Sequence, residues 1–287
     1  MANKINSAKP RVGESSRQFK AGSPFPPEVE CIIEEVADIA GYLWDRHWAE
    51  RNAGNISMDV TEVIGRRTQA PKKAAWIERS LPFPELGGSW LLITSAGSRM
   101  RDLARRPEEF LGIIRIADKL DGYHLVGGPE KGFTPTSELL SHLRIHQSLR
   151  KRGAVERAIL HTHPDALIAM THIPEFKDET RLNSVLWGMH PEAILVVPSG
   201  AGFVPYALTG TIELATATVE ALASHAVAIW EKHGCFAIGP TPSDAFDAID
   251  MLEKSARIFL MVKSAGRSPE GLNREQIEEL QRKFSQT

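Results

Sequence analysis

The stretch that most constrains the fold is a short apolar run near the middle of the chain that ends in two histidines. Residues 158–160 are typical of a buried strand, and His161-Thr162-His163 follows directly. Side chains two residues apart in a strand project from the same face, so the two imidazoles point the same way. Pro164 then ends the strand, and Asp165 is placed to cap a helix that begins after it. The pattern predicts two potential metal ligands held at the edge of a sheet.

A third histidine occurs in a similar setting. His233 lies between two strand-like apolar runs, 226–230 and 235–238, and Gly234 follows it at a predicted tight turn. A histidine pair at a strand end is by itself more often hydrogen-bonded structure than a ligand pair. Three histidines that leave a fourth position open are, however, the ligand set of a catalytic zinc site. Cys235 could add a thiolate ligand, although a small buried apolar side chain is the preferred interpretation.

Two polar turns are candidates for binding an anion. The first contains Asn52, Gly54 and Asn55 ahead of a strand-like stretch, and Asn and Gly readily form backbone nests. An ordinary helix-to-strand turn is the simpler interpretation of this stretch taken alone. The second turn, 94–98, follows a predicted strand at 90–93 and is rich in small hydroxyl side chains.

A predicted helix from about Glu138 to Arg150 carries three further titratable side chains. Glu138 falls in its first turn, where a carboxylate could simply complement the helix dipole. His142 and His146 are four residues apart, which is also metal-ligand spacing on a helix. We interpret both histidines as structural, because no third ligand lies near them in sequence.

Composition and charge exclude several classes of protein. Of the 287 residues, 42% are hydrophobic and 24% are charged, as in ordinary globular domains. The net charge of -2 gives no indication of nucleic-acid or membrane-surface binding. No apolar run approaches the roughly 20 residues that span a bilayer. A polar N-terminus without a signal-peptide core, together with only two cysteines, predicts a cytoplasmic protein without disulfides.

The pattern of elements predicts a flexible N-terminal tail, residues 1–24, and one α/β domain, residues 25–287. Pro26-Pro27 opens a helix that is expected to run to about Trp48. Residues 65–88 are expected to form a long loop or an insertion. Further strands are predicted at 112–116, 123–126 and 192–197, and further helices at 182–189, 211–224 and 241–266.

Four motifs in order show that the chain resembles the class II aldolase/adducin family. They are Ala49-Glu50-Arg51-Asn52-Ala53-Gly54-Asn55, Pro135-Thr136-Ser137-Glu138-Leu139, His161-Thr162-His163, and His233-Gly234-Cys235-Phe236 followed by Gly239-Pro240-Thr241. Their order and approximate spacing agree with the family from about residue 28 to residue 283. The resemblance implies a central, mainly antiparallel sheet covered by helices. It also implies a homotetramer with active sites at subunit interfaces.

The resemblance further implies a role for each candidate catalytic residue. It places one zinc ion per subunit on His161, His163 and His233. Glu138 takes the place of the family's catalytic carboxylate. Glu192 matches a second acid that acts across the subunit interface.

A phosphate-binding cradle is also implied by the resemblance. The residues that match it are Asn52, Gly54, Asn55, Gly97, Thr136 and Ser137. Ala96 departs from the pattern, because some relatives carry a hydroxyl residue there. Ser95 is expected to substitute for that hydroxyl.

The implied reaction is cleavage of a small-molecule ketose 1-phosphate to dihydroxyacetone phosphate and L-lactaldehyde. A cation at the C2 carbonyl can hold the departing carbanion as an enediolate. In the synthetic direction Glu138 is the candidate base for the C3 proton. Another class II sugar-phosphate aldolase, or a pentulose-phosphate 4-epimerase, would use the same metal site and is an open alternative. A non-catalytic scaffold of the adducin type would need neither the three histidines nor Glu138.

Overall fold

The fold is built around one sheet, in a computed structural model that describes residues 25–129 and 132–284. The nine strands of these residues are β1 (Asn55–Asp59), β2 (Ala75–Glu78), β3 (Trp90–Thr94), β4 (Leu111–Ile116), β5 (Gly122–Gly127), β6 (Ala158–Thr162), β7 (Ala201–Val204), β8 (Val227–Trp230) and β9 (Gly234–Gly239). Their order across the sheet is β2-β5-β4-β3-β1-β6-β9-β8-β7. All neighbouring strands are antiparallel except β7 and β8, which are parallel. The prediction of a central, mainly antiparallel sheet is therefore confirmed.

Ten α-helices accompany the sheet in the described part of the chain. They are α1 (Pro27–Asp45), α2 (Thr61–Ile64), α3 (Met100–Leu103), α4 (Leu139–Lys151), α5 (Asp165–Thr171), α6 (Glu179–Met189), α7 (Pro191–Val196), α8 (Ile212–Ala221), α9 (Pro242–Ser264) and α10 (Arg274–Phe284). Short 3-10 helices lie at Pro84–Leu86, Pro107–Glu109 and Pro174–Lys177. Within residues 25–129 and 132–284, every helix is too short or too polar to span a bilayer.

Helices lie on both faces of the sheet because the strands send apolar side chains to both sides. On one face, Ile56 and Met58 of β1 belong to the buried cluster that also contains residues of α1, α5 and α9. On the other face, Ile93 of β3 packs in a cluster with Leu143 of α4. Helix α8 joins α4 on that face through Leu214. The sheet is thus a middle layer between two helical layers, which confirms the α/β class.

The two histidines of α4 are structural, as predicted. Ser57 lies on the face of β1 that meets α4, where His142 and His146 are one helical turn apart. Ser57 Oγ is 2.7 Å from His142 Nδ1 and 2.8 Å from His146 Nε2. Burial lowers the pKa of His142 well below its ordinary value and lowers the pKa of His146 to about 4. Both rings are therefore neutral at neutral pH.

The predicted strand at 192–197 is wrong, because this segment belongs to helix α7. Pro191 is in the first helical position and Glu192 is in the first turn, and both are favourable at a helix N-terminus. The buried residues Ala193 and Ile194 are adjacent, whereas a half-buried strand would alternate buried and exposed side chains. A short apolar run does not by itself distinguish a strand from a buried helical turn.

The segment 65–88 is more ordered than the predicted long loop. It contains β2, which pairs with β5 and so adds an edge strand to the sheet. Trp76 of β2 packs on His124 of β5, with ring centroids 4.9 Å apart. This strand is only four residues long and largely exposed, so its sequence shows no clear alternation of buried and exposed positions.

Asp165 does not cap α5, contrary to the prediction. It is the first residue of the helix, and Pro164 holds the capping position without a side-chain hydrogen bond. The backbone N–H groups of Ala166 and Leu167 instead donate to the buried Glu253 carboxylate of α9, at 3.0 and 2.8 Å. A residue distant in sequence thus caps the helix that follows the two histidines of β6.

Other helix boundaries agree with the sequence patterns. Thr241 and Asp244 form a capping box at the start of α9. That helix stops before Gly266, which has a positive φ of 71°. Helix α1 ends at Asp45, slightly before the predicted Trp48. The predicted tail, residues 1–24, lies outside the described residues.

Candidate active site

One edge of the sheet gathers the predicted site residues because several strands begin or end there. Strands β3, β6 and β8 end at this edge, and their antiparallel neighbours β1 and β9 begin there. A cavity of about 380 Å³ opens at this edge. Every predicted site residue except Glu192 lines it, namely Asn52, Gly54, Asn55, Ser95, Gly97, Thr136, Ser137, Glu138, His161, His163 and His233.

Three histidines form a cluster in this cavity, as the sequence pattern predicts. His161 is the penultimate residue of strand β6, His163 follows that strand, and His233 lies in the turn between β8 and β9. One ring nitrogen from each residue lies within 4.8 Å of the others. The Nε2 atoms of His161 and His163 are 3.3 Å apart. We call these three residues the histidine cluster.

The hydrogen bonds around the cluster leave ring nitrogens free to bind a cation. His161 Nδ1 donates to the Cys235 carbonyl oxygen at 2.9 Å, and His163 Nδ1 lies 3.4 Å from a Glu50 carboxylate oxygen. In a neutral ring the other nitrogen, Nε2, then carries a lone pair. Two such lone pairs facing each other repel unless a cation or a proton lies between them. The donor set, with its orienting partners, fits a divalent metal ion.

Burial favours the neutral form of two of the three histidines, His161 and His233. His161 is only 2% exposed, and its ring stacks on Phe236 with centroids 4.4 Å apart. Burial, reinforced by the neighbouring histidines, lowers the pKa of His161 well below its ordinary value. Burial also lowers the pKa of His233. Neutral imidazoles are ready ligands, because no proton must leave before a metal binds.

Glu138 places a carboxylate beside the histidine cluster. Its Oε2 atom lies 3.6 Å from His161 Nε2 and accepts a hydrogen bond from Asn55 Nδ2 at 2.7 Å. Glu138 immediately precedes α4 but makes no side-chain capping bond, so its carboxylate remains available to the cavity. Burial raises its pKa, and the Asn55 bond and the charges of His233 and His163 oppose that rise. A carboxylate with a raised pKa holds a proton more tightly, which suits a general base.

Small hydroxyl side chains also line the cavity. Ser95 and Ser98 follow β3, and their Oγ atoms are 2.8 Å apart. An isolated β-bridge between Ser95 and Pro135 brings the 135–137 segment alongside. Gly97 has a positive φ of 74°, and no atom lies within 4 Å of the position its Cβ would occupy. We call Ser95, Gly97, Ser98, Thr136 and Ser137 the hydroxyl cradle; its hydroxyl donors and open backbone suit a phosphate group.

Glu192 is the predicted site residue that the cavity does not include. It lies in the first turn of α7, is exposed, and its Oε2 atom is 3.1 Å from His190 Nε2. Catalysis by Glu192 would therefore have to take place at the cavity of a neighbouring subunit.

Four further residues line this cavity without a role predicted from the sequence, namely Glu50, Arg51, Ala53 and Ser98. Glu50 lies within the first family motif and contacts His163. Ser98 directly follows Gly97 in the second polar turn. Their positions next to predicted site residues were a usable signal.

Cys235 contributes its backbone, and not its thiol, to the site. Its side chain is fully buried in the core cluster below α9, and burial raises the pKa of the thiol. Its carbonyl oxygen orients His161. The interpretation of Cys235 as a small buried side chain is confirmed, and the alternative of a thiolate ligand is not supported.

Comparison with known proteins identifies relatives over most of the chain. The profile of the Class II Aldolase and Adducin N-terminal domain matches residues 34–260. A rhamnulose-1-phosphate aldolase from Bacteroides thetaiotaomicron is 40% identical over 262 residues, which cover 90% of this chain and 96% of that protein. A rhamnulose-1-phosphate aldolase from Yersinia pestis is 35% identical over 262 residues, covering 90% of this chain and 94% of that protein.

A solved structure has a similar fold over a similar fraction of the chain. The crystal structure of a sugar-phosphate aldolase from Thermotoga maritima superposes with a TM-score of 0.70 and 31% sequence identity. The match covers 85% of this chain and all of that one. The sequence and structural relatives thus agree on the same family.

Proposed function

The chain belongs to the class II aldolase and adducin family, and on that premise we propose that it is a metal-dependent rhamnulose-1-phosphate aldolase. The proposed reaction is cleavage of L-rhamnulose 1-phosphate to dihydroxyacetone phosphate and L-lactaldehyde. The relatives that carry this name align with 90% of the chain. The observation that carries the proposal is a single cavity holding the histidine cluster, the Glu138 carboxylate and the hydroxyl cradle.

The histidine cluster is the proposed site of one zinc ion per subunit. Three imidazoles with an open side toward the cavity are the ligand set of catalytic zinc sites. A bound divalent cation supplies Lewis-acid polarisation of the substrate oxygens at the carbon–carbon bond that breaks. The Cys235 carbonyl and the Glu50 carboxylate hold two of the rings in the orientation this role requires.

Glu138 is the proposed acid–base residue. Cleavage of the bond between C3 and C4 converts the C4 hydroxyl into an aldehyde, with its proton passing to water, and leaves an electron pair on C3. That carbon must then take up a proton. Glu138 delivers this proton, and in the synthetic direction it removes the same proton from dihydroxyacetone phosphate. Because Glu138 lies beside the histidine cluster, its proton is close to the substrate atoms on which negative charge develops. The Asn55 amide fixes the carboxylate from the other side.

The hydroxyl cradle, with Asn52, Gly54 and Asn55, is the proposed phosphate site. The phosphate is remote from the carbon–carbon bond that breaks, so its binding energy serves to position the reacting carbons. Ser95 lines the cavity, whereas Ala96 does not, which supports Ser95 as the hydroxyl that compensates for Ala96.

The proposal includes a cytoplasmic homotetramer in which Glu192 acts at a neighbouring active site. Large apolar side chains at Tyr206, Leu208 and Ile212 are 66–69% exposed, which supports burial against another copy of the chain. The two cysteines are unpaired, in agreement with a reducing compartment. Light scattering of the purified protein measures the number of subunits.

A substrate panel tests the proposed reaction. Purified protein is supplied with zinc and then with rhamnulose 1-phosphate, fuculose 1-phosphate or ribulose phosphate. We expect dihydroxyacetone phosphate to appear fastest from rhamnulose 1-phosphate, together with L-lactaldehyde. Faster cleavage of fuculose 1-phosphate would assign a different aldolase, and epimerised ribulose phosphate would assign an epimerase. No product from any of the three would reject an enzyme of this class.

A further inference from the structure

A chain of hydrogen bonds leads from the interior of α4 to the Glu138 carboxylate. Its links are His146 to Ser57, Ser57 to His142, His142 to Asn55, and Asn55 to Glu138. The links from His146 to Ser57 and from Ser57 to His142 are 2.8 and 2.7 Å long. The link from Asn55 to Glu138 is 2.7 Å. The proposed catalytic role of Glu138 involves only the link between Asn55 and Glu138.

This hydrogen-bond chain forms because polar side chains on one face of β1 lie opposite polar side chains one turn apart on α4. Asn55 and Ser57 are two residues apart on β1 and so project from the same face. His142 and His146 are four residues apart on α4 and so lie one turn from each other. Ser57, His142 and His146 are each at most 1% exposed, so bulk water does not compete for these bonds.

The number of available protons determines which group donates and which accepts in each of these hydrogen bonds. An ionised Glu138 only accepts, so the Asn55 amide must turn its NH2 group toward that carboxylate. The Asn55 carbonyl oxygen then faces His142 and requires a proton on His142 Nε2. A neutral ring carries one such proton, so His142 Nδ1 must accept from the Ser57 hydroxyl. Ser57 Oγ in turn accepts from His146 Nε2.

We propose that Ser57, His142 and His146 are positioning residues that hold the Asn55 amide with its NH2 group toward Glu138. Turning the amide over would point its oxygen at the carboxylate and would require the proton on each link to be reversed. The reversed arrangement would leave the ionised Glu138 carboxylate facing the Asn55 oxygen without a donor, which is unfavourable in a buried site. The amide is therefore fixed, and Glu138 keeps a constant donor beside the cavity. The catalytic consequence rests on the proposed function of Glu138, but the proton arrangement does not.

Nitrogen-15 NMR of the histidine rings tests the proton arrangement without metal or substrate. The signal of His142 is identified by its loss in His142→Gln. In the wild-type protein we expect His142 in the tautomer that is protonated at Nε2. In Ser57→Ala, which removes the hydroxyl that donates to Nδ1, we expect a mixture of tautomers. A wild-type His142 protonated at Nδ1 overturns the proposal, and this measurement does not depend on whether Ser57→Ala folds.

Steady-state kinetics test the consequence for catalysis. Ser255→Ala is the matched control, because Ser255 is equally buried and its hydroxyl has no hydrogen-bond partner among the described residues. For Ser57→Ala we expect kcat to fall by about 10-fold, as for loss of one buried hydrogen bond between neutral groups, with little change in KM. An equal kcat for Ser57→Ala and Ser255→Ala would overturn the positioning role. Absence of aldolase activity in the wild type, with His142 protonated at Nε2, would instead remove the proposed function and leave the proton arrangement standing.

Discussion

Asn55 of β1 lies directly opposite His161 of β6 in the antiparallel register. The two residues meet again at Glu138, whose Oε2 atom accepts from Asn55 Nδ2 and lies 3.6 Å from His161 Nε2. The backbone ladder of the sheet thus sets the position of a candidate metal ligand relative to the residue that holds the candidate base. A site on paired strands is held more precisely than a site on loops.

Replacement of the candidate base separates metal binding from catalysis. Glu138→Gln keeps the size of the side chain but cannot accept a proton. We expect zinc content to stay at the wild-type level and kcat to fall on the order of 10²–10⁴-fold, the usual contribution of a general base. Metal analysis and an assay for dihydroxyacetone phosphate measure the two effects on the same sample. A kcat close to the wild-type value would remove Glu138 from its role.

Gly54 supports the cavity through its backbone conformation. Its φ is +81°, and a Cβ there would lie 3.1 Å from the His161 carbonyl oxygen. We expect Gly54→Ala to lower the free energy of unfolding by about 1–3 kcal/mol and to raise KM for the sugar phosphate. Gly153→Ala is the control, because Gly153 also has a positive φ but nothing lies within 4 Å of its Cβ position. Equal KM values for the two variants would show that Gly54 does not shape the substrate site.

Burial of His146 makes stability depend on pH in a defined window. Its pKa is lowered by burial from 6.5 to about 4, so between these pH values the unfolded state binds more protons than the folded state. The contribution of His146 to the free energy of unfolding is therefore fully present above pH 6.5 and is lost as the pH falls toward 4. This residue contributes about 3 kcal/mol across the window.

Chemical denaturation of metal-free protein at several pH values measures this contribution. His146→Gln should flatten the rise of the unfolding free energy between pH 4 and 6.5. His172→Gln is the control, because His172 is exposed. An unchanged slope in His146→Gln would mean that His146 is not the group that titrates there.

Glu253 is expected to stabilise the helix that follows the two histidines of β6. Its buried carboxylate accepts from the first free N–H groups of α5, which the helix itself cannot satisfy. We expect Glu253→Ala to lower the free energy of unfolding by about 2–3 kcal/mol, since two charge-assisted bonds are lost. Lys254→Ala, at an exposed neighbouring position, should have little effect. Thermal or chemical unfolding of the two variants gives the comparison, and equal stabilities would contradict the capping role.

The sequence was informative wherever a local pattern determined the structure. The apolar run before His161 and the turn at His233 predicted strands and a tight turn that the structure contains. The motif that includes Glu138 could be located because it opens a helix with a clear apolar stripe. In contrast, the apolar run at 192–197 was too short to show whether it repeats as a helix or a strand, and β2 is only four residues long and largely exposed.

Contacts between residues distant in sequence could not be inferred from pattern. Asn55 and Glu138 are 83 residues apart, and Ser57 and His142 are 85 apart. Glu253 caps a helix that begins more than 80 residues before it. These contacts depend on which helix packs on which strand, and on the register between them. One sequence without that geometry predicts which side chains are available, but not which ones meet.

The proposed mechanism depends most on the histidine cluster holding one divalent cation. Metal content per chain, measured after dialysis of wild-type protein, His233→Ala and the exposed control His172→Ala, tests this directly. We expect about one zinc ion per chain in the wild type and in the control, as for a three-histidine catalytic site, and almost none in His233→Ala. Full zinc occupancy in His233→Ala would contradict the ligand assignment and, with it, the proposed mechanism.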